Sequence, residues 1–165
     1  MSEIQTQPRS GAQTRTEARI NRSREDWIDA AWGALGTGGV ELVRIERLAR
    51  ELGVTKGSFY WHFKDRQKLI EALLDRWFSL REEDRAAPVS AGDPADQIWN
   101  VVERAISRGT HGQAAALRFW AQRHAGVALL IAAEDDKRLA FMVERFEAMG
   151  FADPDAHVRA QIYMS

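Results

Sequence analysis

One glycine between two short apolar periodicities constrains this chain more than any other feature. It lies in the stretch Leu48 to Phe63, LARELGVTKGSFYWHF. On its N-terminal side Ile45, Leu48, Ala49 and Leu52 fall at i, i+3, i+4 and i+7, one face of an α-helix. Glu46 with Arg50, and Arg47 with Glu51, are spaced as i,i+4 opposite-charge pairs on the other face. The helix is predicted to end near Leu52, because Gly53 stands where a left-handed C-terminal cap is needed and glycine has no Cβ to clash there. Thr55 then reads as the N-cap of a second, shorter helix, its hydroxyl placed to accept from the backbone N–H of Gly57 or Ser58. Phe59 and Phe63, four apart, define the inner face of that helix. Gly57 and Trp61 fall opposite, flanked by Ser58, Tyr60 and Lys64.

That is the outline of a helix-turn-helix, although the same spacing suits an ordinary αα corner. The outward residues favour the first reading. A hydroxyl, two lysines and aromatic rings are an unusual set for a face that meets only solvent, and a glycine there costs about 1 kcal/mol relative to alanine unless another surface must approach closely.

The run Leu48 to Leu74, LARELGVTKGSFYWHFKDRQKLIEALL, resembles the TetR family of bacterial transcriptional regulators. The likeness is carried by the turn Gly53-Val54-Thr55, by Lys56-Gly57, by Tyr60-x-His62-Phe63 and by the leucine-rich fourth helix, and it covers about residues 24 to 80. The resemblance implies an all-α chain: an N-terminal three-helix helix-turn-helix domain over residues 22–68, preceded by an arm over residues 1–21 and followed by a helical effector-binding and dimerisation domain over residues 69–165. It further implies a repressor that binds palindromic operator DNA as a homodimer and is released by a small-molecule effector. Thr55, Lys56, Tyr60 and His62 match positions that commonly touch DNA in the family. With the outward Gly57, Ser58, Trp61 and Lys64 they make up the expected interface. Arg44 joins them with a difference, because many members have Thr or Ser there, and a capping hydroxyl is replaced by a longer cation with the reach of a phosphate.

Charge agrees with this division. Residues 1 to 68 hold 12 Lys and Arg against 9 Asp and Glu, net +3, and residues 69 to 165 hold 11 against 15, net −4. The positive excess sits with the helix-turn-helix, where phosphate would be met. Arg9, Arg15, Arg19, Arg22 and Arg24 are spread through the polar arm and the start of the first helix. The arm reads either as a solubilising tail or as an extension that reaches a minor groove or phosphates. Lys64 and Arg66, cations at the start of the fourth helix, oppose the helix dipole and make better sense facing phosphate.

The remaining chain reads as helices with legible ends. Ser23-x-x-Asp26 resembles a capping box ahead of the stripe Ile28, Ala31, Trp32 and Leu35, with Gly36, Gly38 and Gly39 as its stop. Asp65 is predicted to cap the fourth helix, whose stripe is Leu69, Ile70, Leu73, Leu74 and Trp77. A composition shift at residues 85–94 marks a boundary. Asp93-Pro94 opens a helix with Ile98, Trp99, Val102, Ala105 and Ile106 on its apolar side. Gly109 and Gly112 bracket a turn before an alanine-rich helix over residues 113–124. Gly126 allows a break, and a long helix with Val127, Leu130, Ile131, Leu139, Met142, Val143 and Phe146 inside runs to Met149, with Gly150 as its stop. Asp153-Pro154 opens a last helix.

The resemblance implies that the C-terminal half is the sensor. Trp99, Phe119, Trp120, Met142 and Phe146 are the apolar candidates to line its pocket, and each of them also suits plain core. An enzyme is not indicated: there is no His-x-x-x-His, no nucleophile elbow and no phosphate-cradling glycine loop. His62, His111, His124 and His157 are too scattered for a metal site, Glu134 to Asp136 read as a solvated acidic turn, and no cofactor is expected. Cysteine is absent and no apolar run approaches a membrane span, so a cytoplasmic location is expected. The alternative reading is a helical protein-interaction module that does not bind DNA.

Overall fold

The computed structural model describes residues 22–86 and 93–164, and these residues are helical with no strand. The arm over residues 1–21 and the middle of the boundary, residues 87–92, lie outside them. The elements are α1 (Arg24–Gly38), a 3-10 turn (Val40–Leu42), α2 (Ile45–Leu52), α3 (Lys56–Tyr60), α4 (Arg66–Ala86), α5 (Pro94–Ser107), α6 (His111–Ala121), α7 (Ala125–Ala148) and α8 (Asp155–Met164).

Local chemistry sets most of these ends. Ser23 accepts from the N–H of Asp26, and the Asp26 carboxylate accepts from the N–H of Ser23, which closes the capping box. Those Ser23 hydrogen bonds hold the Asp26 carboxyl below its usual range. Gly53 takes φ 70° and ψ 31°, the left-handed cap that the sequence requires. Asp65 accepts from the N–H of Lys68 at 2.9 Å, and Asp93 accepts from that of Ala95 at 3.0 Å. Thr55 occupies the N-cap of α3, but its hydroxyl makes no capping bond. Pro154 stands one place ahead of α8 rather than inside its first turn.

The first hydrophobic cluster joins α1, α2, α3 and α4 to α6 and the start of α7. Trp27, Leu35, Leu48, Phe59, Leu69, Leu73 and Leu117 are all fully enclosed within it. Trp27 meets the edge of Phe59 with centroids 5.2 Å apart, and Phe63 stacks on Phe59 at 5.4 Å. A second cluster gathers Ile98 and Val101 of α5, Phe141 and Met142 of α7 and Ala160 of α8. Ala156 and Ala160 are small enough to let α8 lie close along α7.

On α5 the buried face is Ile98 with Val101, while Trp99 and Ile106 are exposed. The expected stripe through Trp99 and Ile106 is therefore corrected. Apolar residues surround most of that helix, so periodicity alone did not say which face its neighbours would cover. Leu130 is likewise exposed on α7, where Phe141 is buried.

The contact between α1 and α6 is unusually close. A Cβ on Gly112 would fall 2.4 Å from the carbonyl oxygen of Gly36, so backbone meets backbone there. The Gln113 side-chain amide donates to the Trp32 carbonyl at 3.2 Å across the same seam. Gly112 thus lies within the first turn of α6, not in the turn before it. Gly109, at φ 61°, makes that turn.

Candidate nucleic-acid interface

Phe59 and Phe63 decide how α3 sits. With both rings enclosed, the far side of the helix must face outward, and Trp61 is 88% exposed and Tyr60 59% exposed. Thr55, Lys56, Gly57 and Lys64 are also exposed, Ser58 and His62 are half-buried, and Arg44 is exposed at the N-cap of α2. All nine expected interface residues therefore lie in or beside α2, α3 and the turn that follows α3, each of them exposed or half-buried. Gly57 has room at its surface, its nearest neighbour to an added Cβ being the Thr55 hydroxyl at 3.5 Å.

The charges on this edge are arranged differently from the simple helix spacing. Glu46 pairs with Lys56 of α3 at 2.5 Å rather than with Arg50, and no ion pair joins Arg47 to Glu51 among the described residues. The Lys56 ammonium, first by hydrogen bonding, holds the Glu46 carboxyl below its usual range. Arg44, Arg47 and Arg50 line an open depression of about 470 Å³ together with Leu42 and Glu46. Arg47 and Arg50 thus belong with the candidate interface, and the sequence reading passed over them by assigning them to glutamate partners one turn away.

Arg66 is a correction. Its guanidinium turns inward and donates to the carbonyls of Val43 and Val40 at 2.6 and 2.5 Å, closing the 3-10 turn onto the start of α4. The Val40 carbonyl also accepts from the Val43 N–H at 3.1 Å, so the guanidinium braces the end of the 3-10 turn, which is reason enough for a cation at this helix start. Arg22 and Arg24 are also used within the fold. Arg22 donates to the Leu52 carbonyl at 3.2 Å, and Arg24 lies 5.0 Å from the Phe63 ring centroid. Neither is left extended in the manner of an arm.

The five aromatic and methionine candidates for a sensor pocket are not brought together. Trp99 is 60% and Phe119 62% exposed, and Trp120 packs on the first cluster beside His124. Met142 and Phe146 belong to the second cluster. Two open cavities stand elsewhere in this half. One of about 460 Å³ lies between α4 and α7, lined by Phe78, Ser79, Glu82, Arg85, Leu130 and neighbours. The other, about 300 Å³, lies between α6 and α7.

Glu134 is not part of a solvated turn. It is 4% exposed and paired with Arg85 and Lys137, while Asp135 takes two hydrogen bonds from Arg118. Among the described residues no three His, Asp or Glu are placed to hold a metal ion, and no helix is long and apolar enough to cross a membrane.

A short helix presented outward from a three-helix unit, on a larger helical body, has the arrangement of the second helix of a helix-turn-helix. Residues 28–73 match the model of bacterial regulatory proteins of the tetR family. It is 38% identical over 61 residues to the HTH-type transcriptional regulator TtgR of Pseudomonas putida. That match takes in 37% of this chain and 29% of TtgR. The fold extends further than the sequence likeness. A putative transcriptional regulator from Saccharomonospora viridis in complex with choline superposes with a TM-score of 0.70 at 20% identity, covering 84% of this chain and 77% of that one. The ketosteroid transcriptional regulator KstR2 of Mycobacterium tuberculosis gives 0.68 at 18%, covering 88% and 79%.

Proposed function

We propose that this protein is a ligand-responsive transcriptional regulator, a repressor that binds operator DNA as a homodimer and lets go when a small molecule occupies its C-terminal half. The observation that carries the reading is the outward edge of α3, where Tyr60 and Trp61 stand clear of the fold and Lys56 lies exposed beside Glu46, on a helix anchored by Phe59 and Phe63. In this reading Arg44, Arg47, Arg50, Thr55, Ser58, His62 and Lys64 contact phosphates and set the register, while Lys56 and Trp61 meet base edges and a thymine methyl in the major groove. Residues 22–68 form the reading unit, and residues 69–165 form the sensor and dimer unit, in the cytoplasm where its DNA is. The two copies would place their α3 helices about 34–36 Å apart on one face of the duplex. That TtgR is named a transcriptional regulator, and that a structural neighbour was solved with choline, supports both halves of the reading.

The test is selection of genomic fragments by the purified protein, followed by titration of the recovered DNA. A palindromic site bound with an affinity that falls steeply between about 50 and 200 mM salt is expected, and Lys56→Ala weakens it. Recovery of no enriched sequence, or a complex indifferent to salt, refutes the proposal.

A further inference from the structure

In the depression beside α2, one charge has the wrong sign for phosphate. Leu42, Arg44, Arg47 and Arg50 line it together with a single carboxylate, that of Glu46. Among the described residues no ion pair joins Glu46 to Arg47 or Arg50. Its carboxylate accepts instead from the Lys56 ammonium at 2.5 Å across the turn at Gly53, which ties the second residue of α2 to the first residue of α3.

Stability gives little reason for that tie. The two side chains are 57% and 58% exposed, and an ion pair so placed contributes little to folding. The place of Glu46 in the first turn of α2 suits the helix dipole, but the dipole is served equally without a lysine from another helix. On a surface that has to approach phosphates, the carboxylate also weakens the attraction the arginines supply. What the pair does provide is a donor and an acceptor held side by side at the N-terminal end of α3, the part of a reading helix that meets base edges.

An ammonium carries three N–H donors. With one given to Glu46, Lys56 keeps two, the number that guanine N7 and O6 accept together, and its swing toward phosphates is checked. Beside guanine O6 in the major groove lies the N4 amino group of the paired cytosine, a donor for which a carboxylate is the matching acceptor. From guanine to cytosine the base pair thus presents acceptor, acceptor, donor. The reversed C·G pair inverts that order, and A·T in either direction presents acceptor, donor, acceptor. One orientation of one base pair places two acceptors under Lys56 and a donor under Glu46.

We propose that Glu46 is a specificity-determining residue: tied to Lys56, it reads one G·C base pair in each half-site, with guanine under the ammonium and the cytosine amino group under the carboxylate. The proposal rests on the regulator reading above and adds which base pair this edge selects. Opposite any other pair Glu46 keeps its repulsion toward phosphate and gains no partner, so it penalises wrong sequences more than it favours the right one.

The test takes the duplex recovered by genomic selection, with every single base-pair substitution of it, and titrates each with the full chain by fluorescence anisotropy at about 50 and 200 mM salt. For wild type, one position in each half-site should favour G·C over A·T and over C·G by roughly tenfold, the size expected of a good paired contact. Glu46→Gln should tighten the operator severalfold and the duplexes substituted at that position by more, so that the preference there falls below about threefold while preferences elsewhere stay. Lys56→Ala should erase the same preference with weaker binding throughout. Glu51→Gln, which removes a charge from the other end of α2, is the control for bulk charge and should raise affinity for all duplexes alike. Equal thermal midpoints for wild type and variants keep loss of fold from passing for loss of reading.

The proposal is overturned if Glu46→Gln keeps the wild-type preference at every position, if it relaxes all positions evenly, or if the position it relaxes favours a pair other than G·C. Absence of any sequence-preferring complex for wild type defeats the regulator reading and this proposal with it. A specific complex whose preferences Glu46→Gln leaves unchanged defeats this proposal alone.

Discussion

Gly112 and Gly126 both occupy the second position of a helix, one in α6 and the other in α7. Alanine therefore brings the same intrinsic gain at either site, up to about 1 kcal/mol. What differs is the space. Nothing lies within 4 Å of a Cβ on Gly126, whereas a Cβ on Gly112 would fall 2.4 Å from Gly36 O, 3.2 Å from Gly36 C and 3.3 Å from its Cα. Backbone atoms on α1 cannot swing aside, so α6 must move outward and loosen the packing of Leu117 beneath it. Overpacking of this kind costs about 1–3 kcal/mol.

Gly126→Ala should therefore gain about 0.5 kcal/mol, and Gly112→Ala should lose about 1–2 kcal/mol net. Urea denaturation reads the difference directly. With a slope of about 2 kcal/mol/M, the two midpoints should separate by roughly 1 M in opposite directions from wild type. Gly36→Ala should fall between them, because its added Cβ meets only the end of the Gln113 side chain, which can rotate away at the loss of one hydrogen bond to Trp32. Equal shifts for Gly112→Ala and Gly126→Ala would refute the account of the α1–α6 seam.

Three further outcomes are expected. Arg66→Met should destabilise the fold by about 1.5–3 kcal/mol, measured by denaturant unfolding, because the Val40 and Val43 carbonyls lose a charged donor. Ser23→Ala should cost about 1 kcal/mol through the lost cap. The Asp26 carboxyl is depressed on folding, so its stabilisation is present above its unfolded pKa and disappears as pH falls through the folded one; wild type and Asp26→Asn should differ at neutral pH and converge in acid. Glu46→Gln should tighten operator binding severalfold at low salt by releasing Lys56 and removing a negative charge from the edge, a gain that shrinks as salt is raised; fluorescence anisotropy measures it.

Much of the reading unit was legible before any coordinates, because its signals are local. Gly53 required a left-handed cap, Ser23 with Asp26 required a reciprocal one, and two phenylalanines four apart fixed which side of α3 is inner. The errors have a common origin in tertiary partners that spacing does not reveal. Arg66 looked like a misplaced cation until the Val40 and Val43 carbonyls, more than twenty residues away, gave it a task. Glu46 chose Lys56 over Arg50 because the turn at Gly53 folds α3 back beside α2. In the C-terminal half, α5 and α7 carry apolar residues on several faces, so the choice of Trp99 and Leu130 as interior required knowing which helix lay opposite.

α7 runs unbroken for 24 residues, about 36 Å, with Val127 and Ile131 seated in one apolar pool and Phe141 and Met142 in another. A rod fixed at both ends in this way cannot be turned at one end without turning at the other. Rotating it by a single residue, roughly 100°, would withdraw Ile131 and Met142 together and offer water both of their pockets at once. Small displacements along its axis are the motions left to it.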